Sequence, residues 1–98
     1  MRLEWDPKKN YLNYQKHRVR FEEAARVFND RSSLSLYDEE HAQSEDRWIT
    51  IGRTPSGLII VVVHTYRKTG STEAIRIISA RRATKKEIQQ YHEKEKHF

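Results

Sequence analysis

Residues 47–66 read RWITIGRTPSGLIIVVVHTY. In Arg47–Arg53 the residues alternate: Ile49 and Ile51 share one side with Arg47 and Arg53, and Trp48 and Thr50 take the other. A period of two is the signature of a strand with two different faces. Thr54-Pro55-Ser56-Gly57 follows as a turn, with proline already set for the second position. Leu58–Tyr66 is apolar on both sides, which predicts a central strand covered on both faces. So short a connection makes the pair an antiparallel hairpin.

Working outward from this hairpin, Lys68–Ser71 forms a second turn and residues 73–81 a last strand. Thr84 and Glu87 then stand three apart, the spacing of a capping box, with Ala83 and Ile88 placed as a small hydrophobic staple. The helix they open, residues 84–96, has Ile88 and Tyr91 as its apolar anchors. Upstream, residues 38–46 are an acidic polar loop, and before it Leu34 and Leu36 alternate with Ser33 and Ser35 as another strand. In residues 21–28, FEEAARVF, an apolar stripe of Phe21, Ala24, Ala25 and Phe28 predicts a helix. An earlier helix over 8–17 has Asp6 as N-cap and Pro7 at its first position, and residues 2–5 alternate as a short edge strand. The predicted order is β-α-α-β-β-β-β-α. It describes an α+β fold in which an antiparallel sheet of four to five strands carries two N-terminal helices and one C-terminal helix.

A chain of 98 residues is expected to form one domain, residues 1–98, with a single modest core. It has no cysteine, so disulfide and thiolate chemistry are excluded, in keeping with a reducing cytoplasm. The longest apolar run, Leu58–Val63, is far short of a membrane span, and the N-terminus lacks the apolar core of a signal peptide. The net charge is +5, and arginine outnumbers lysine eleven to eight. Excess arginine favours a nucleic-acid or acidic partner, because its planar fork matches phosphate. No glycine-rich phosphate loop, nucleophile elbow or metal-ligand spacing is present, so no cofactor and no metal are expected.

The remaining signal is basic residues set within or beside structure. Arg76, Arg81 and Arg82 lie along the last strand. By strict alternation Arg76 faces the same way as Ile78, Ala80 and Arg82, and Arg81 the same way as Ile75, Ile77 and Ser79. The three arginines then serve two purposes: one set meets phosphate and the other anchors helices or a partner, for instance through Glu22, Glu23 or Asp30. Other candidates have structural readings beside the functional ones. His17 can cap helix carbonyls, Arg47 and Arg53 can lie at the sheet rim, Trp48 can be helix-covered core, and His64 can be a satisfied core histidine.

Six segments in order, WDPKKN (5–10), KH (16–17), V-R-FEEAARVF (19–28), D-RWITIGR (46–53), LIIVVVHT (58–65) and RIISARRAT (76–84), cover nearly the whole chain. In these segments the sequence resembles the BrnT-like toxins, a branch of the RelE-type toxins of type II toxin–antitoxin systems. Two positions depart from the family pattern. Arg18 stands where a glycine usually follows the Lys-His pair, and Arg20 where a small hydroxyl residue usually caps the second helix. A left-handed Arg18 would cost on the order of 1 kcal/mol.

The resemblance implies a RelE-like endoribonuclease that cleaves RNA and arrests growth or translation. It implies neutralisation by a ribbon-helix-helix antitoxin, with two toxins per antitoxin dimer, and contact with operator DNA only through that antitoxin. No membrane is involved. Cleavage without metal uses the 2′-hydroxyl as nucleophile, and requires a base, an acid and cations for the charge at phosphorus. His17, His64, Arg47 and Arg81 are the catalytic candidates. Lys16, Trp48, Arg53, Arg76 and Arg82 are the candidates for holding RNA, with Trp48 stacking a base. Arg81 is the first choice for the phosphate, at a strand end expected to tolerate truncation. The alternative is a non-catalytic basic module acting as a co-repressor or protein-interaction partner.

Overall fold

In a computed structural model of the chain, residues 2–41 and 46–96 are described. The acidic loop expected at 38–46 therefore lies partly outside the described residues. The elements run β1 (Arg2–Glu4), α1 (Pro7–His17), α2 (Phe21–Ala24), a 3-10 turn (Ala25–Asn29), β2 (Leu34–Tyr37), β3 (Arg47–Arg53), β4 (Ile59–Thr69), β5 (Thr72–Arg82) and α3 (Lys85–Lys96). The helix expected over 21–28 is thus α for one turn and 3-10 thereafter.

The five strands form one sheet in the order β1-β5-β4-β3-β2. From β2 to β5 it is the expected antiparallel meander. It is not antiparallel throughout, because β1 pairs in parallel with β5, Leu3 opposite Ile75. Hairpin connections force antiparallel pairing on consecutive strands only. β1 is joined to the rest through two helices, so its direction is set by where α1 docks.

β4 explains the run of apolar residues. Its even positions, Ile60 and Val62, pack with Val19, Phe21, Ala24, Val27, Ile77 and Ala80 under the N-terminal helices. Its odd position Val61 packs with Ile51 and Tyr91 under α3. We refer to the two sides as the helical face and the open face, since α3 covers only the end of the latter nearest Ile51 and Val61.

The approach of helix to sheet is close at Gly52, where an added Cβ would lie 2.7 Å from Val27 Cβ. Both family departures have structural consequences. Arg18 adopts φ 59, ψ 29, and its N–H closes α1 on Tyr14 O at 2.9 Å, so a non-glycine residue does occupy a left-handed position. Arg20 caps nothing with its side chain. Instead Asn10 Oδ1 of α1 accepts the Phe21 N–H at 2.8 Å, and the Arg20 guanidinium lies 4.1 Å from the Tyr14 ring centroid. The lost N-cap is replaced by a bond from the neighbouring helix and a cation–π contact.

Candidate functional site

Strict alternation fails in β5. The register with β4 steps from Val63↔Ser79 to His64↔Ile77, which leaves Ile78 as the extra residue of a β-bulge. A bulge inserts one residue and reverses the parity beyond it. Ile75 and Ile77 accordingly turn to the helical face, and both are buried. Arg76 turns to the open face opposite Thr65, while Arg81 stands opposite Val61 on that same face. The expected grouping of Arg76 with Arg82 against Arg81 is therefore corrected: Arg76 and Arg81 share a face, and Arg82 pairs with Ile60 on the other.

Arg47 also pairs with Thr65, from the β3 side. One row thus crosses the open face as Glu4, Arg76, Thr65 and Arg47. The strand spacing puts the two arginines about 10 Å apart at the backbone, with Thr65 between them. Arg47 Nε lies 3.6 Å from Asp38 Oδ2, beyond a hydrogen bond, and is buried without a hydrogen-bond partner among the described residues. Thr65 Oγ1, on its cross-strand neighbour, is likewise buried and unpartnered. Arg76 makes no ion pair or side-chain hydrogen bond with the described residues, so Glu22, Glu23 and Asp30 are not its partners. Asp38 already stands beside Arg47 Nε, so within this row Arg76 is the cation without an ion pair among the described residues.

Arg81 is differently placed. Two pleat repeats from this row, or roughly 13 Å along the strand, it makes a bidentate pair with Glu87, Nη1–Oε1 2.8 Å and Nη2–Oε2 2.9 Å. The same Glu87 completes the capping box, accepting from Thr84 N–H at 2.8 Å while Thr84 Oγ1 accepts from Glu87 N–H at 3.2 Å. The Arg81 hydrogen bonds pull the Glu87 carboxyl down to about 2. Truncating Arg81 would therefore also release the start of α3, contrary to the expected tolerance of a strand end. Arg53 likewise serves α3, with Nη1 3.3 Å from Glu95 Oε2 and its guanidinium 5.3 Å from the Tyr91 ring centroid.

His64 and Trp48 are cross-strand partners on the helical face, away from the arginine row. His64 is fully buried, its Nε2 2.7 Å from Thr50 Oγ1 and its ring edge-on to Phe28 at 4.9 Å. Burial pushes its pKa down to about 4, so the ring is neutral at pH 7. Trp48 packs edge-on between Tyr37 and Tyr66. Lys16 and His17 form the basic last turn of α1, the helix that Asn13 ties to β5. The sequence candidates thus separate. Arg47 and Arg76 converge, Arg81 and Arg53 hold α3, and His64, Trp48 and Arg82 lie on the helical face. Thr65 was missed, because nothing but register sets it between two arginines. The Ile77–Ile78 doublet, a break in alternation, was the one visible sign of the bulge.

The burial of His64 carries a testable consequence. Unfolded, an imidazole titrates near 6.5; here it titrates near 4. Between those values the unfolded chain binds the extra proton, so stability is full above about 6.5 and falls as pH falls toward 4, by up to about 3 kcal/mol. Urea unfolding of the wild type and of His64→Gln from pH 7.5 to 4.5 is expected to show a steeper loss for the wild type. Parallel profiles would mean that the ring is not held neutral.

The family model that matches the chain is described as the ribonuclease toxin BrnT of type II toxin–antitoxin systems, and it matches residues 5–87. The chain belongs to the BrnT family of ribonuclease toxins. The crystal structure of the Brucella abortus ribonuclease toxin BrnT is similar, with a TM-score of 0.63 and 25% identity over 87% of this chain and 99% of that one. No curated protein matches the chain. Membership of the BrnT family makes the protein a ribonuclease toxin with an antitoxin partner. Among the described residues, no helix is long and apolar enough to cross a membrane.

Proposed function

We propose that this BrnT toxin is RelE-like, acts in the cytoplasm as one domain, and cleaves RNA without metal by internal transesterification across the Arg47–Thr65–Arg76 row. The observation that carries the reading is the register that sets Arg47 and Arg76 on either side of Thr65 on the open face, with Arg76 free of any ion pair among the described residues. In this reaction the 2′-oxygen bonds to phosphorus as the P–O5′ bond breaks. The 2′-hydroxyl proton leaves to a base, and the departing O5′ takes one up. The products are a 2′,3′-cyclic phosphate and a 5′-hydroxyl.

Two guanidinium forks flanking the phosphate stabilise the extra negative charge of the pentacoordinate state, with the buried Thr65 as the spacer between them. Arg81, neutralised by its bidentate pair with Glu87, keeps α3 in place at the far end of the face. His64 is neutral and enclosed on the helical face, and Lys16 and His17 end α1, which is tied to β5 at Ala80 and not at the row, so none of the three is assigned to proton transfer. The antitoxin of this reading is a ribbon-helix-helix protein, two toxins to one antitoxin dimer, with operator DNA touched only by the antitoxin.

RNA incubated with the purified toxin in excess chelator, with its ends mapped, tests the chemistry. Cleavage is expected to persist and to leave 2′,3′-cyclic phosphate and 5′-hydroxyl ends. Chelator-sensitive cleavage, or 5′-phosphate ends, would sink the reading.

A further inference from the structure

We propose that Arg2 and Arg67, gathered around Glu4, form a second phosphate subsite that holds the nucleotide next to the scissile one. The proposal rests on the reading of the Arg47–Thr65–Arg76 row as the reaction site.

The register places both arginines in one line. Arg2 pairs with Ala74, and Ala74 pairs with Arg67. This line is the next open-face row after Glu4–Arg76–Thr65–Arg47. Successive same-face rows lie about 6.6 Å apart, a spacing of the same size as that between neighbouring phosphates in an extended RNA strand. The two rows therefore match two consecutive phosphates.

The second row borders a cavity of about 320 Å³ lined by Arg2, Glu4, Arg67, Thr69, Thr72 and Ala74. Its chemistry is two cations, one carboxylate and two hydroxyls. The carboxylate is shared, with Arg2 Nη2 at 3.4 Å from Glu4 Oε2 and Arg67 Nη1 at 3.6 Å from Glu4 Oε1. Both distances exceed the 2.7–2.9 Å of a strong charge-assisted bond, so neither fork is saturated. The side chains of Arg2 and Arg67 are 69% and 54% exposed, while that of Glu4 is 26% exposed. The cations thus reach into solvent from either side of a carboxylate at the floor. Glu4 holds the forks toward the cavity, and by its charge it weakens the binding of any anion there. A site of this kind reads the backbone and not the bases, so its contribution is uniform across sequences.

The test uses RNA oligonucleotides made uncleavable by 2′-deoxy substitution, with binding measured across a salt series. Arg67→Ala and Arg2→Ala are each expected to weaken binding and to flatten the slope of log affinity against log salt by about 0.7. The penalty is expected to grow when the ligand is lengthened from one phosphodiester to several. Glu4→Gln is expected to tighten binding at low salt, a gain that misfolding cannot mimic. Unchanged slopes, a length-independent penalty, or weaker binding by Glu4→Gln would overturn the subsite. So would loss of antitoxin binding with RNA binding intact, which would make the patch an antitoxin contact. Failure of the reaction site itself is read separately, from cleavage by Arg76→Ala.

Discussion

Arg76→Ala is expected to lower kcat for RNA cleavage by about 10²–10³-fold, the loss seen when one positioned donor to a developing negative charge is removed. The reason lies in where the cation stands and in what it lacks. Arg76 is on the open face opposite Thr65, has Arg47 one strand further on, and has no ion-pair partner among the described residues. Its charge is not used up in holding the fold, so its removal should leave the melting temperature nearly unchanged. Arg47→Ala is expected to cost a similar factor, with some loss of stability as well, because Asp38 loses its neighbour 3.6 Å away. Arg76→Lys should recover only part of the rate, since it restores the charge without the planar fork. If both arginines act on one phosphate, the double variant loses less than the product of the single losses. Single-turnover cleavage, with thermal unfolding of each variant, checks this. A folded Arg76→Ala toxin that cuts at the wild-type rate would remove the row from the mechanism.

The largest expected effect on stability belongs to Asn13. Its Nδ2 donates to Val19 O at 2.9 Å and to Ala80 O at 2.8 Å, and its Oδ1 accepts from Ala80 N–H at 3.1 Å. β1 pairs with β5 only through residues 74–76, so the edge of β5 at Ala80 has no strand beside it. The amide of Asn13 stands in for that strand, bonding both backbone groups of Ala80 at once. Asn13→Ala would leave three buried or half-buried backbone groups unsatisfied, each worth about 1–3 kcal/mol. We expect a loss of about 3 kcal/mol or more, a large share of the 5–15 kcal/mol that holds a typical domain. Asn13→Asp is expected to be worse than Ala, because it keeps the acceptor, loses both donors and sets a carboxylate against two carbonyl oxygens. Urea unfolding of the three proteins gives the order. An Asp variant as stable as the wild type would show that the amide is not what closes this edge.

Much of the architecture was legible where the physical signal is local. The alternation of Arg47–Arg53, the turn at Thr54–Gly57, the Asp6-Pro7 helix start and the Thr84–Glu87 capping box all appear as read. The strand expected at 58–66 is β4, Ile59–Thr69, buried or half-buried on both sides as far as Thr65 because its apolar residues face both ways. Chemistry was legible only as a set of residue types. That the chain holds many arginines and no cysteine is a property of composition. Which of them meet is a property of register, and register changes at Ile78.

By itself, then, the sequence determined the elements, the hairpin order and the family, because capping, turn chemistry and hydrophobic period act over a few neighbouring residues. Tertiary structure alone decided four things. β1 joins β5 in parallel, because its direction depends on a helix docking and not on a turn. The bulge brings Arg76 onto the face of Arg81, because one extra residue reverses every side chain beyond it. Arg81 is occupied by Glu87 while Arg76 stays unpaired among the described residues, because pairing depends on which helix end lies overhead. Thr65 sits between Arg47 and Arg76, because cross-strand neighbours are chosen by hydrogen-bond register between segments far apart in the chain.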